Sequence, residues 1–147
     1  SGNRVTDAHV GIYAMAPNGK DYRDNSVRDC VSDGMVTDTW FSPTGYGAFE
    51  GNSIMDNGGA GIRMLYPVDL GGGAQGSTGG NILTGNGNYD LYVEVPVGDA
   101  ATVYARHNAW DHATEGEIDA SDVYDASDDG SVSDVDFMPL ASGGGAW

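Results

Sequence analysis

The phrase "NSIMDNGGAGIRMLYP", which begins at Asn52, is one of four versions of a single pattern in this 147-residue chain. "NRVTDAHVGIYAMAP" begins at Asn3, "NSVRDCVSDGMVTDTW" at Asn25 and "NILTGNGNYDLYVEVP" at Asn81, so the starts lie 22, 27 and 29 residues apart. Aligned, they form an asparagine column (Asn3, Asn25, Asn52, Asn81), followed two residues on by Val5, Val27, Ile54 and Leu83. Gly11, Gly34, Gly61 and Asp90 make the next column, then Ile12, Met35, Ile62 and Leu91, and two residues later Ala14, Thr37, Met64 and Val93. Apolar positions two apart within a period of about 20–30 residues imply short strands, with one turn of a coil per repeat. Asparagine amides can bond to one another across coils about 4.8 Å apart. The glycines of "NGGAG" are expected to supply the positive φ angles of sharp bends. Leucine-rich repeats share the period, but five leucines and no such signature exclude them. Calcium-binding nonapeptide repeats also fit poorly, because "GNGNYD" falls in the same columns as "NGGAG" and reads as turn chemistry.

These columns resemble the right-handed parallel β-helix family, the pectate-lyase-like coils common in secreted carbohydrate-active and cell-surface proteins. The resemblance covers residues 1 to about 141. Its C-terminal part is similar to the ending of many such proteins, with Asn108, Trp110, Ile118, Tyr124, Val135, Phe137 and Pro139 on the pattern and Asp111 where a glycine usually stands. The resemblance implies an all-β fold, a right-handed parallel β-helix solenoid of about five coils with a short C-terminal capping segment. Residues 1–104 are assigned to coils, 105–141 to the last coil and cap, and 142–147, "SGGGAW", to a flexible tail. A cap makes physical sense, since a last coil left bare would expose strand edges and core side chains. Residue 1 already sits in register with a coil, so further coils or another subunit are expected at the N-terminal face.

Charge narrows the partners. There are 22 acidic and six basic residues, a formal charge of -16, so DNA, RNA and anionic membranes repel the chain and nucleic-acid partners are excluded. One lysine among so many carboxylates points to a salt-rich or calcium-rich medium, where screening relieves self-repulsion. Cys30 is the single cysteine, which rules out a disulfide within the chain and reads as a small core residue. No apolar run approaches the roughly 18–20 residues of a membrane span. The Asn-x-Ser/Thr acceptor pattern is absent.

Function must come from what faces outward, because this fold class hosts lyases, hydrolases, epimerases, adhesins and plain scaffolds. After the glycine column the outward positions are Tyr13, Val36, Arg63 and Tyr92, then Met15, Asp38, Leu65 and Glu94. Pro17, Trp40, Pro67 and Pro96 end the strands, and the loops that follow differ in length from coil to coil, which is where binding sites concentrate. Tyr22, Trp40, Phe41, Tyr46, Phe49 and Tyr66 lie there, with carboxylates nearby, and read as a saccharide-binding set. Arg63 is the one basic residue on the outward columns and the one candidate for abstracting a sugar proton. In "DASDDGSVSDVD", Asp125, Ser127, Asp129 and Asp136 stand at calcium-loop spacing, making calcium the one candidate cofactor. His112 and Glu115 are a weaker metal pair. The chain therefore reads as a secreted or cell-surface structural or glycan-binding module, with a neutral polysaccharide as the expected ligand. The alternatives are a polysaccharide lyase, hydrolase or epimerase, and a viral or cell-surface spike or adhesin.

Overall fold

The computed structural model describes residues 1–15, 19–39 and 46–142. Each repeat lays down three short strands. The first gives β1 (Arg4–Thr6), β2 (Ile12–Met15) and β3 (Asp21–Arg23); the second gives β4 (Ser26–Arg28), β5 (Met35–Asp38) and β6 (Gly47–Glu50). The third gives β7 (Ser53–Met55), β8 (Ile62–Met64) and β9 (Val68–Asp69), and the fourth β10 (Ile82–Thr84), β11 (Leu91–Val93) and β12 (Thr102–Tyr104). Then follow the helix α1 (Glu115–Ser121), β13 (Val123–Tyr124) and β14 (Asp134–Asp136).

Strands one repeat apart are neighbours, giving sheets β1-β4-β7-β10, β2-β5-β8-β11-β13 and β3-β6-β9, with a β12-β14 pair. Every strand pairing is parallel. Gly71 bridges to Ala105, carrying the third sheet toward β12, and Ile82 bridges to Ala109, carrying the first sheet one step further. The chain is thus all-β with one helix, and its strands run in parallel sheets.

The register reproduces the sequence columns. Val5, Val27, Ile54 and Leu83 pair in succession, as do Ile12, Met35, Ile62 and Leu91. Their side chains point inward, and Val27, Ile54, Leu83, Met35, Ile62 and Leu91 are fully buried. Cys30 is buried in the same core. Val36, on an outward column, is buried as well.

Two bends bracket β1, β4, β7 and β10 and keep them to three residues. Gly2, Asp24, Gly51, Gly80 and His107 immediately precede Asn3, Asn25, Asn52, Asn81 and Asn108, and all have φ between 55° and 73°. Asp7, Asp29, Asp56 and Gly85 follow these strands with φ between 55° and 70°. Aspartate, whose short side chain can bond locally, tolerates this left-handed conformation better than most residues.

The glycines of "NGGAG" do something else, and this corrects the expectation of positive φ there. Gly58, Gly59 and Gly61 are absent from the left-handed set. A Cβ on Gly58 would lie 2.4 Å from the Val31 carbonyl oxygen, and one on Gly61 2.5 Å from that of Asp90. They are glycines because neighbouring repeats pass backbone against backbone at this turn.

The asparagine column is a ladder. Asn3, Asn25, Asn52 and Asn81 each donate Nδ2 to Oδ1 of the next member at 2.9–3.0 Å. Asn108 is the fifth member, so the Asn-x-Trp of the cap also continues the repeat. A second, shorter ladder runs from the Cys30 N–H to Asn57 and from Asn57 to Asn86. Each buried amide finds a partner in the repeat beside it, as burial requires.

The cap closes the core with Trp110, Ile118 and Phe137, all buried, Trp110 and Phe137 meeting edge to face at 6.3 Å. α1 has acidic residues in its first turn and no basic residue in its last. Residues 107–147 carry ten acidic and no basic side chains, whereas residues 1–24 carry three of each. Arg106 pairs with Asp136 and His112 faces Asp122, which offsets only part of this charge, and the remaining self-repulsion is screened by salt. The thermal midpoint should rise between about 10 mM and about 2 M sodium chloride. A midpoint that fell or stayed level would mean that the few ion pairs outweigh the net charge.

Candidate functional site

The outer face of β2-β5-β8-β11-β13 gathers the chain's polar and aromatic side chains into two rows. Tyr13, Val36, Arg63, Tyr92 and Tyr124 are in register along the first. The second holds Met15, Asp38, Leu65 and Glu94. The alternation that buries Met35, Ile62 and Leu91 turns these residues outward. The rows are tied diagonally between adjacent repeats: Tyr13 Oη donates to Asp38 at 2.5 Å and Arg63 Nε to Glu94 at 2.7 Å. At the capped end Tyr92 and Tyr124 stack in parallel with centroids 4.3 Å apart, and Tyr89 stands edge-on to both.

The electrostatics follow from these bonds. The Asp38 carboxylate accepts the Tyr13 hydroxyl and holds that phenol above its usual pKa. Glu94 likewise raises Arg63, so the guanidinium stays protonated and is suited to donating rather than to taking a proton. The face presents phenols, a guanidinium–carboxylate pair and a phenol–carboxylate pair, so its cation is matched by Glu94 while Asp38 keeps a net negative charge beside a neutral phenol.

The sequence-derived saccharide set divides. Phe49 is fully buried and belongs to the core, because its place in β6 points inward; Tyr22 packs on it with centroids 4.8 Å apart. Tyr46 and Tyr66 form a separate edge-to-face pair at 6.0 Å, with Tyr66 buried. Trp40 and Phe41 lie outside the described residues. The acidic turn is folded on itself: Asp125 accepts from the Ser127 and Val135 N–H groups, Asp129 from Ser131, and Asp136 from Arg106. His112 is bound to Asp122, with its Nδ1 2.7 Å from the carboxylate, and not to Glu115.

Among the described residues, a different group brings three carboxylates within 4.8 Å of one another: Asp90, Asp111 and Asp122. They stitch the fourth repeat to the cap. Asn86 Nδ2 donates to Asp90 at 2.8 Å, the Gly85 N–H to Asp111 at 2.9 Å, and the His112 N–H to Asp122 at 2.9 Å. Asp90 and Asp122 are buried. Burial pushes the Asp90 carboxyl up to about 8, so it is largely protonated at neutral pH. Burial also raises Asp122, against the opposing pull of His112, whose own pKa the buried carboxylate raises. Sequence reasoning placed Asp90 in the glycine column without seeing this joint, and the break in that column is the signal. Tyr89 and Tyr124 were legible only as turn and cap residues, since stacking across coils does not appear in one linear stretch.

Parallel sheets built from successive repeats, a stacked asparagine column and a packed cap place the chain among all-β proteins made of repeated strand triplets. It belongs to the DUF1565 family, described as proteins of unknown function, which matches residues 1–115. No curated protein and no solved structure matches the chain.

Proposed function

We propose that the chain is a right-handed parallel β-helix of five coils, secreted or displayed at a cell surface, whose outer face on β2-β5-β8-β11-β13 binds a neutral glycan. The observation that carries this reading is the face itself. Tyr13 is 54 % exposed, and beside it stand donors and acceptors already oriented by the Tyr13–Asp38 and Arg63–Glu94 bonds. Phenol rings with fixed hydroxyl, guanidinium and carboxylate groups suit a hydroxyl-rich ligand. Arg63 is engaged by Glu94 and Asp38 adds a carboxylate that disfavours a uronate, while the protonated Arg63 is a poor base, which favours binding over lyase chemistry.

The test is a glycan array with the parent, Tyr13→Ala and Arg63→Ala, followed by product analysis of any hit. Neutral glycans should bind the parent and bind each variant at least about tenfold more weakly, roughly 1.4 kcal/mol, without new reducing ends. Unsaturated uronate products lost with Arg63→Ala would overturn the reading in favour of a lyase. Binding unaffected by both variants would move the site off this face.

A further inference from the structure

Along the outer face of β2-β5-β8-β11-β13 the side chains able to bond a ligand do not recur at every repeat. Tyr13, Val36 and Arg63 are consecutive in one row, and Asp38, Leu65 and Glu94 stand one repeat further on in the other. Taken diagonally, as the bonds run, they make three steps: Tyr13–Asp38, Val36–Leu65 and Arg63–Glu94. The first joins a phenol to a carboxylate at 2.5 Å, and the third a guanidinium to a carboxylate at 2.7 Å. The middle step has no polar side-chain atom; Val36 is buried and Leu65 half-buried. The polar steps are therefore two repeats apart. The strands from β2 to β11 pair residue for residue, so that distance is two strand spacings, about 9.6 Å.

Both polar steps face solvent, with Tyr13 54 % exposed and the Arg63 and Glu94 side chains 46 % and 35 % exposed. A carboxylate accepts hydroxyl protons, a guanidinium donates to hydroxyl oxygens and a phenol oxygen can do either, so each step suits one sugar edge carrying adjacent hydroxyls. A chain that meets both steps in the same way must be straight over this distance and must present the same edge at every second residue. A 1,4-linked pyranose chain with both glycosidic bonds equatorial has these properties. Each residue is turned half a revolution from its neighbour, and the disaccharide length is close to two strand spacings. An axial 1,4 linkage curves the chain and carries the third residue away from the second step.

We propose that this face takes a neutral, straight, equatorially 1,4-linked glycan laid across the repeats, with alternate sugar residues on Tyr13–Asp38 and Arg63–Glu94 and the residue between them over Val36–Leu65. The inference rests on the glycan reading of the same face and narrows it to one linkage class. A trisaccharide is then the shortest ligand that meets both polar steps, because a disaccharide brings the matching edge to only one.

The experiment is titration calorimetry on the full chain with two pairs of sugars, cellobiose and cellotriose against maltose and maltotriose. Cellotriose should bind at least about tenfold more tightly than cellobiose, and maltotriose no more than about twofold more tightly than maltose. Tyr13→Phe keeps the exposed ring and loses only the hydroxyl. It should bring cellotriose down to the cellobiose level and weaken cellobiose by no more than about twofold, since Arg63–Glu94 still takes the disaccharide. The proposal is overturned if cellotriose shows no such step, if maltotriose shows an equal one, or if the step survives Tyr13→Phe. The glycan array with Tyr13→Ala and Arg63→Ala reports on the underlying reading separately. Neutral hits that both variants weaken, without the step in calorimetry, fail this inference alone, and an array with no neutral hit fails both.

Discussion

The thermal midpoint should fall as the pH is raised from about 5 to about 8, and Asp90→Asn should remove most of that fall. The folded chain holds the Asp90 proton up to about 8, while the unfolded carboxyl releases it near 3.8. Between those values the native state binds more protons than the unfolded one, so stability is fully present below the lower value, declines through the window and is lost above the upper one. One such group changes stability by at most about 1.4 kcal/mol per pH unit. His112 and Asp122, both raised, act with the same sign. Glu50 and Asp129 are lowered by hydrogen bonds from Thr78 and Ser131, and act with the opposite sign only in acid. Asparagine at position 90 mimics the neutral carboxyl and can still accept from Asn86. A midpoint flat across the window in the parent, or a variant that tracks the parent, would remove the protonated joint from the account.

Ile54→Asp should leave the chain unfolded at room temperature. Ile54 is fully buried between Val27 and Leu83, where an unpaired carboxylate has no partner and several kcal/mol of desolvation to overcome. Losing the buried side chain adds about 2–5 kcal/mol. Together these reach the about 5–15 kcal/mol that holds a typical domain folded. Ile54→Val, at about 0.5–1.5 kcal/mol, should stay folded with a lowered midpoint. Circular dichroism melts of the two variants decide the matter, and a parent-like melt for Ile54→Asp would place that column outside the core.

The columns were legible in one dimension because each strand pairs in parallel with its counterpart one repeat away. Asn25, Asn52 and Asn81 therefore align in the structure as they do on the page. Where bonding runs along those columns, reading succeeds; Asn57 and Asn86 were also there to be found, in matching turns. It failed where the reason is space between backbones, as at Gly58 and Gly61, since a glycine looks the same whether it serves φ or clearance. It failed again for Phe49, whose inward direction depends on where β6 starts after a loop of unshared length. The outward rows Tyr13–Arg63–Tyr92 and Asp38–Glu94 were readable, but their diagonal bonds and the Tyr89–Tyr92–Tyr124 stack were not, because both depend on side-chain reach between coils.

The uneven spread of charge gives the described chain an electric dipole running from its first repeat toward its cap. Residues 1–24 sum to zero while residues 107–147 carry ten acidic groups and no basic side chain. A surface of negative potential repels the capped end more strongly than the end at β1, β2 and β3, and the torque persists over roughly a Debye length, about 8 Å at physiological salt. Close to such a surface the charge pattern biases the described chain to turn its cap toward bulk water before any specific contact forms.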